Sequence, residues 1–344
     1  MRFSDDCFKT LSVVDRASHL ENRIEERSGK NDALGRRLEK LRRDFGPVFL
    51  AALNDPQTIE ILLNADGTLW QEKLGGRMEP IGQMSATRAE AVLRTIAACL
   101  NTVITWDHPM LEGELPLDGS RFAGQLPPVV SAPTFAVRKR ASSVFTLDQY
   151  VEQGIMTPEQ KQTLCSAIRE HQNILVIGGT GSGKTTLTNG LIHEMTCSCS
   201  HERITIIEDT GEIQCAARNA VLYHTTAEVT MTALLKTSMR MRPDRILVGE
   251  VRGPEALDLL MAWNTGHPGG IATLHANTAS SGLTRLASLI SMARDYPKPI
   301  EPLIGEAVDF IVHIAKETNS RRIKEILRVT SYNTQTNSYD VSSL

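Results

Sequence analysis

Residues 173–186 read NILVIGGTGSGKTT, an apolar run followed by a glycine-rich loop that ends in Lys184 and Thr185. The spacing matches G-x-x-x-x-G-K-[ST], a pattern in which backbone N–H groups surround phosphate oxygens. The lysine ammonium would meet the β- and γ-phosphates, and the threonine hydroxyl would bind Mg²⁺. An ordinary glycine-rich turn is the alternative, but the apolar run before the loop and the helical pattern after it favour phosphate binding. The predicted nucleotide-binding residues of this loop are Gly178, Gly179, Thr180, Gly181, Ser182, Gly183, Lys184, Thr185 and Thr186.

A second apolar run, ITII, leads into acidic residues. Glu208 and Asp209 follow it directly, and Glu212 comes three residues later. Ligands of an open parallel sheet collect beyond the carboxyl ends of its strands, so these acids should face the phosphates. We expect Glu208 or Asp209 to hold Mg²⁺ through water and another acid to orient the attacking water. Exposed loop acids without a role are the alternative.

Two further apolar runs end in Glu250 and His275. The run RILVGE resembles a Walker B element, with glutamate where aspartate is common, and GGIATLH carries the histidine. His275 could report the presence of a γ-phosphate by hydrogen bonding, although a lone histidine is more often structural.

Arginines matter to this chemistry because a transferring phosphoryl group needs a cation in a site that excludes water. Arg240 and Arg252 flank the Walker B run, and Arg121 and Arg138 lie much earlier in the chain. A surface salt bridge is the alternative for each of them.

The elements that must position these groups alternate in the second half of the chain. Near-continuous apolar strands separated by helical patterns indicate a mainly parallel sheet covered on both faces. A helix over 280–294 and two further extended stretches, 308–316 and 321–331, follow this core. The predicted parallel strands span residues 173–178, 203–208, 221–224, 245–249 and 270–275.

The first part of the chain predicts a smaller α+β unit. Strands over 58–63 and 68–71 surround the turn signal NADG, a helix follows over 86–100, and extended stretches lie at 119–125 and 134–139. We predict a poorly ordered extension at 1–33, an amino-terminal α+β domain at 34–140, a linker at 141–150 and the nucleotide-binding domain at 151–344.

One helix of the first part has two distinct faces. Its apolar positions recur at helical spacing, and its opposite face is basic. The basic face predicts either a solvated surface or contact with anionic lipid or a partner. The apolar positions are Leu38, Leu41, Phe45, Val48 and Phe49, and the basic ones are Arg36, Arg37, Lys40, Arg42 and Arg43.

Composition limits the function classes. The 344 residues are 41% apolar and 22% charged, which suits a soluble protein of two domains. A net charge of −3 argues against a dedicated nucleic-acid binder. No apolar run approaches the roughly 18 residues that span a bilayer, and the first residues lack a secretory signal pattern. We therefore expect a cytoplasmic protein with at most peripheral membrane contact.

The six cysteines include one close pair, Cys197 and Cys199. His193 and His201 flank this pair and suggest a metal site. The spacing of one residue fits zinc motifs poorly, so free thiols in a reducing compartment are favoured.

Four motifs together, GGTGSGKTT, IEDTGE, RMRPDRILVGEVRG and GGIATLHAN, resemble the Walker A, Asp box, Walker B and His box of the type II/IV secretion and pilus ATPase superfamily. EILLNADGTLW, DGSRF, FAVRK and the Thr-Gly-Glu ending of the Asp box are most similar to its conjugal-transfer ATPases of the TrbB type. The resemblance covers about residues 34–315. The tetracysteine zinc insert of some relatives is absent, which argues against the type II assembly branch.

This resemblance implies a fold, a substrate and partners. The fold would be α/β, a RecA-like P-loop ATPase domain with a smaller N-terminal α+β domain, and the substrate would be ATP with Mg²⁺, held between the two domains. The protein would form a ring-shaped homohexamer at the cytoplasmic face of the inner membrane, with other conjugative or type IV secretion components as partners. Direct sequence-specific binding of nucleic acid is not expected.

The resemblance also implies residue roles. Glu212 or Glu250 would position water, and His275 would sense the phosphate. Arg240 matches the arginine before Pro-Asp in the Walker B region and would be catalytic. Arg121 and Arg138 match the small-domain arginines that approach the γ-phosphate.

The expected function is a motor that converts ATP hydrolysis into domain motion and so powers DNA transfer or pilus assembly. A motor that acts directly on DNA is one alternative, but it needs a basic groove or stacking aromatics, and aromatic content is 5%. A nucleotide-gated scaffold without catalysis is another. A small-molecule kinase is disfavoured because no lid-like arginine segment is evident.

Overall fold

The computed structural model describes residues 13–73, 76–139, 144–226, 228–317 and 320–344, with side chains from residue 32 onward. The chain divides into two units, Met1–Lys139 and Arg140–Leu344. Residues 1–12 of the predicted extension and 141–143 of the predicted linker lie outside the described residues.

The described residues of the first unit form an antiparallel sheet and two helices. Its six strands lie in the order β3-β2-β1-β6-β5-β4. The elements are α1 Val13–Asn54, β1 Thr58–Leu63, β2 Thr68–Lys73, β3 Met78–Gln83, α2 Ala86–Cys99, β4 Met110–Glu114, β5 Arg121–Gln125 and β6 Thr134–Arg138.

Helix α1 follows the predicted apolar stripe for only part of its length. Leu41, Phe45 and Phe49 are buried in the core of this unit, but Val48 is 45% exposed. The chain leaves helical geometry at Gly46, where φ is 77° and ψ is 172°. This kink changes the helical register, so the prediction of one continuous stripe is wrong at Val48.

The basic face of α1 contacts its own unit. Arg36 and Lys40 pair with carboxylates one turn away on the same helix, and the Arg37 guanidinium donates to the carbonyl oxygen of Ala98 at 2.9 Å. Among the helices described, none combines the length and the apolar character needed to cross a bilayer.

The second unit contains the long sheet that the sequence predicts, ordered β14-β13-β12-β7-β11-β10-β8-β9. From β12 through β7, β11, β10 and β8 to β9, neighbouring strands pair in parallel. Strand β13 pairs antiparallel with β12 on one side and with β14 on the other. The elements are α3 Leu147–Glu152, α4 Pro158–Arg169, β7 Ile174–Ile177, α5 Lys184–Ser198, β8 Ile204–Glu208, β9 Ala220–His224, α6 Met231–Ser238, β10 Arg245–Val251, α7 Glu255–Asn264, β11 Ile271–Leu274, α8 Ala279–Ile290, α9 Glu301–Ala307, β12 Phe310–Lys316, β13 Arg321–Asn333 and β14 Ser338–Ser343.

Both faces of this sheet are covered. Successive residues of a strand point to opposite faces, and in β7 Leu175 and Ile177 join one apolar cluster while Ile174 and Val176 join another. The predicted α/β fold, a mainly parallel sheet between two helical layers with a smaller α+β unit before it, is confirmed.

Helix α3 begins at Leu147, inside the segment predicted as a linker. Thr146 and Gln149 form a capping box at its amino terminus, which fixes two backbone N–H groups of the first turn. Helix α4 also begins with a capping box, formed by Thr157 and Gln160.

Candidate functional site

The glycine-rich loop joins β7 to α5 and curls around the lysine. The Lys184 ammonium donates to the carbonyl oxygens of Gly178 and Gly179, each at 3.0 Å. Gly183 has a φ of 98°, in the left-handed region that strains any residue with a side chain. The helix that follows presents its N–H groups and positive dipole end to this loop. The backbone therefore has the form of a phosphate-binding loop.

The other loop residues lie where the motif requires them. Thr180 and Gly181 are exposed at the tip, and Ser182 is buried. Thr185 and Thr186 are partly buried in the first turn of α5. The structure thus brings all nine predicted loop residues together.

A chain of polar contacts runs outward from the lysine. Both ring nitrogens of His275 lie 3.4 Å from the Lys184 ammonium, and Nε2 of this histidine lies 3.0 Å from Oε1 of Glu250. Arg252 then bridges Glu250, at 2.6 Å, and Asp209, at 2.5 Å. The contacts join the carboxyl ends of β11, β10 and β8, so the predicted convergence of these strand ends is present.

The charge states in this chain follow from the neighbours. Burial raises the pKa of Glu250, but the hydrogen bond and charge of Arg252, helped by His275 and Lys184, outweigh it and leave that pKa below its ordinary value. Burial lowers the pKa of His275, and the Lys184 ammonium lowers it further, against the opposing charge of Glu250. At neutral pH the site therefore holds a carboxylate beside a neutral imidazole.

Glu208 has a supporting position under the loop after β8. This side chain is 1% exposed, and its Oε2 accepts the backbone N–H groups of Glu212, at 2.8 Å, and Ile213, at 3.0 Å. Glu212 itself is partly buried. Its charge, after those of Glu250 and Asp209, contributes to raising the pKa of Arg252.

The residues present fit a magnesium ion that arrives with a nucleotide. No group of three or more His, Cys, Asp or Glu in the described part of the chain is arranged to hold a metal by itself. Mg²⁺ usually keeps several waters and binds substrate phosphates with one or two protein oxygens. The Thr185 hydroxyl suits that role, whereas Glu208 and Asp209 already hold backbone amides and Arg252 and would reach the ion through water.

The structure does not bring Arg240 to this cluster. Arg240 is exposed between α6 and β10, and the neighbouring Met241 accepts a hydrogen bond at 2.9 Å from Arg203, the residue before β8. These residues precede two parallel strands, so they lie at the amino-terminal edge of the sheet, opposite the loop. A catalytic role for Arg240 stays a prediction that the geometry within one chain does not support.

That opposite edge holds a buried ion pair. Arg245, the first residue of β10, is 0% exposed and pairs with Glu202. Its guanidinium also donates to the carbonyl oxygens of Ile168, at 2.8 Å, and Gly269, at 3.1 Å. His171 approaches the same glutamate at 2.9 Å. This network joins three loops at the amino-terminal edge.

The close cysteine pair does not share a site. The Cys199 thiol lies 3.4 Å from the Arg245 guanidinium, whereas the Cys197 sulfur lies 3.9 Å from Nδ1 of His193. One thiol belongs to the buried network and the other is exposed.

The two arginines of the first unit face each other across a strand pair. Arg121 of β5 is the register partner of Arg138 of β6, and Glu114 and Glu60 flank them on the next strands. Like charges directly opposite each other are destabilising. The two flanking glutamates balance the formal charge of the two arginines, so a role for Arg121 and Arg138 in nucleotide binding stays a prediction.

Sequence reasoning missed two residues beside the loop. Asn189 of α5 donates to the carbonyl oxygen of Glu212, at 3.2 Å, and accepts from the N–H of Gln214, at 3.0 Å. It therefore fixes the loop after β8 to the helix of the phosphate loop. Arg321 of β13 lies against Gly183. Neither contact has a local sequence pattern, since both depend on packing between distant segments.

A model of the "Type II/IV secretion system protein" family matches residues 90–339, which include all four motifs. The chain belongs to this family. It is 49% identical over 297 residues to "Probable conjugal transfer protein TrbB" of Sinorhizobium fredii (strain NBRC 101917 / NGR234), with 86% of this chain and 91% of that protein covered. It is 47% identical over the same length to "Conjugal transfer protein TrbB" of Rhizobium radiobacter, with the same coverage.

The fold of this secretion-family member also matches a solved structure. The Legionella pneumophila ATPase DotB is 19% identical, with a TM-score of 0.58 over 85% of this chain and 83% of that one. The predicted membership of the secretion ATPase superfamily, with most similarity to the conjugal-transfer branch, is confirmed.

Proposed function

We propose that this chain hydrolyses ATP to ADP and phosphate at the glycine-rich loop. One observation carries the proposal: the Lys184 ammonium lies 3.4 Å from His275, and that histidine lies 3.0 Å from Glu250. A phosphate-binding cation, a hydrogen-bonding ring and a carboxylate thus converge at the carboxyl edge of one parallel sheet.

The groups suit phosphoryl transfer, which depends on positioning and charge stabilisation. When ATP binds, Lys184 exchanges its two loop carbonyls for the β- and γ-phosphates. The neutral His275 has a single N–H, which its Nε2 contact places against the Glu250 carboxylate. When ATP binds, this N–H turns to the terminal phosphate, and the released, ionised Glu250 orients the attacking water. Mg²⁺, bound with ATP and held by Thr185, would neutralise charge on the phosphate oxygens.

Glu250 is the better placed of the two acids that the sequence left open. It contacts His275 directly, whereas the backbone of Glu212 is held by Glu208 and Asn189. We therefore assign water positioning to Glu250 and loop placement to Glu212.

We further propose that hydrolysis powers a homohexameric motor of a conjugative or type IV secretion system. The support is the sequence identity to two proteins named for conjugal transfer. On this proposal the protein works in the cytoplasm at the inner membrane, with other secretion components as partners, and Arg121 and Arg138 contribute to nucleotide binding. DNA transfer is favoured over pilus assembly by the names of these relatives.

Phosphate release by purified protein, measured without DNA, tests the hydrolysis. Lys184→Ala should lower the turnover rate by about 10²–10³-fold, the usual effect of removing one preorganised charge-stabilising group. Glu250→Gln should lower turnover to a similar extent while ADP binding is retained, and Glu212→Gln should lower it less. Equal, robust rates in wild type and Lys184→Ala would reject the proposal.

The assembly is tested separately by native mass spectrometry with and without a non-hydrolysable ATP analogue. A hexamer in the presence of the analogue is expected. A protein that stays monomeric under both conditions would contradict the motor but not the hydrolysis.

A further inference from the structure

The strand after the last parallel strand carries an arginine to the phosphate loop. A methyl group placed on Gly183 would lie 2.9 Å from Cδ of Arg321 and 3.3 Å from its Nε. Gly183 immediately precedes Lys184, so the stem of this arginine packs on the backbone of the loop. The contact lies wholly within the second unit.

The hairpin of β12 and β13 holds Arg321 in this position. Strand β12 pairs with β7 as far as His313 and Ile177, and then continues beside the loop. A side chain at Gly178 would collide with the carbonyl oxygen of Ile314. On the other side, the N–H of Ile323 donates to the carbonyl oxygen of Ile155 at 2.9 Å. Arg321 therefore comes from a supported strand and not from a loose loop.

The guanidinium of Arg321 has a donor that is not used within the described residues. Its Nε is buried without a hydrogen-bond partner there, and no ion pair of this arginine is present among the described contacts. Two neighbouring groups do not supply a negative charge to Arg321. Burial raises the pKa of Tyr150, and the Arg321 charge only partly opposes this, so the phenol is neutral at neutral pH. Glu317, in the same hairpin, pairs with Lys324.

The order of the strands separates Arg321 from the acidic cluster. Strand β13 lies on one side of β7, beyond β12, and β11, β10 and β8 lie on the other side. His275 and Glu250 come from that other side, where the terminal phosphate would be cleaved. An arginine on the β13 side can approach the part of the nucleotide that remains after cleavage.

We propose that Arg321 is a binding residue for the phosphates that ATP and ADP share. This inference rests on the proposed nucleotide site. A guanidinium presents several donors in one plane and forms charge-assisted hydrogen bonds with phosphate oxygens. Arg321 thus holds the diphosphate on one side of the loop, while Glu250 and His275 act on the γ-phosphate from the other.

Calorimetric titration of the full chain with Mg²⁺-ADP and with tripolyphosphate tests the inference. Arg321→Met keeps most of the stem that packs on Gly183 and removes the charge. The substitution should lower the affinity for both ligands about tenfold or more, as expected for the loss of one charge-assisted hydrogen bond. It should raise the KM for ATP more than it lowers kcat. Arg322→Met is the matched control, because Arg322 is exposed and adjacent strand residues point to opposite faces.

The outcomes separate this inference from the proposed function. In one outcome, wild type binds both ligands, Lys184→Ala binds them more weakly, and Arg321→Met binds them like wild type. Arg321 is then not a phosphate ligand, but the proposed nucleotide site is retained. A loss confined to ADP, with tripolyphosphate unchanged, would place Arg321 on the nucleoside and overturn the inference. If Arg321→Met fails to fold, Arg321→Gln provides the test, because it removes the charge and keeps a polar side chain: retained folding with weaker binding of both ligands supports the inference, and unchanged binding overturns it. Failure of wild type to bind either ligand would instead reject the nucleotide site.

Discussion

Strand β10 has an arginine beside each of its ends, and the two have different surroundings. Arg245, at the amino end, is 0% exposed and donates to two backbone carbonyls as well as to Glu202. Arg252, just past the carboxyl end, has a side chain that is 49% exposed and contacts two carboxylates, Glu250 and Asp209. One arginine is anchored to backbone and the other to side chains that can turn away.

This difference indicates that the two arginines of one strand have different roles, one structural and one in the nucleotide site. The partners of a buried guanidinium cannot be exchanged without exposing an unpaired charge to an apolar environment. A half-exposed guanidinium held by carboxylates can exchange them for a phosphate or for water at small cost. Arg245 therefore maintains the fold, and Arg252 is suited to rearrangement when nucleotide binds.

The largest effect is expected from Arg245→Met. The substitution leaves the Glu202 carboxylate and two carbonyls without their donor at a buried site, so the free energy of unfolding should fall by roughly 3–5 kcal/mol. Urea unfolding followed by circular dichroism measures this loss. The double variant Arg245→Met with Glu202→Gln removes the uncompensated charge as well, and should recover part of the stability. A single variant as stable as wild type would contradict the structural assignment.

A smaller effect, confined to catalysis, is expected from Arg252→Met. Arg252 lowers the pKa of Glu250, so its removal raises that pKa, and the ionised carboxylate is lost at a higher pH as the solution is acidified. The acid limb of the pH–rate profile should therefore move to higher pH. At neutral pH, turnover should fall about tenfold, roughly the effect of losing one charge-assisted hydrogen bond.

Unfolding by urea is the control for Arg252→Met, because stability should change little at this exposed end of β10. A large loss of stability with an unchanged pH profile would make Arg252 structural and remove the contrast with Arg245.

The smallest effect is expected from His171→Asn. His171 contacts the same Glu202 that Arg245 contacts, but its side chain is 39% exposed, and exposed ion pairs contribute about 0–1 kcal/mol. Asparagine tolerates the left-handed backbone conformation, with φ of 57°, that this position adopts. Thermal unfolding should show a change well below that of Arg245→Met; a comparable loss would mean that exposure does not decide the strength of these contacts.

The parallel core of the fold was predictable from sequence because its strands are short apolar runs between helical patterns. Among the strands of the described residues, three escaped prediction: β3, β4 and β14. All three lie at edges of their sheets, where one side of the strand is unpaired and polar residues are tolerated. Pro80 in β3 is an example of a residue that edge strands accept. Their strand character comes from pairing with a neighbour and not from local pattern.

The site was predictable where a motif ends a strand. Lys184, Glu250 and His275 belong to separate motifs, and the parallel sheet brings them together as expected. Arg240 shows the limit, since proximity to Glu250 in sequence does not decide which end of β10 a residue occupies. Arg321 shows another, because its position depends on a hairpin that packs beside the loop from far along the chain.

The pairing of β7 with β12 also affects how the protein is made. Asn173, just before β7, donates to Asp309, which follows 136 residues later. A ribosome would therefore release the glycine-rich loop long before the strand that supports it on one side. Closing so long a segment is entropically slow. Until then β7 has apolar side chains and an edge of unpaired backbone N–H and C=O groups, to which chaperones or other nascent chains can bind. Nucleotide affinity would be acquired only after residue 309 has emerged, well after the glycine-rich loop itself has been made.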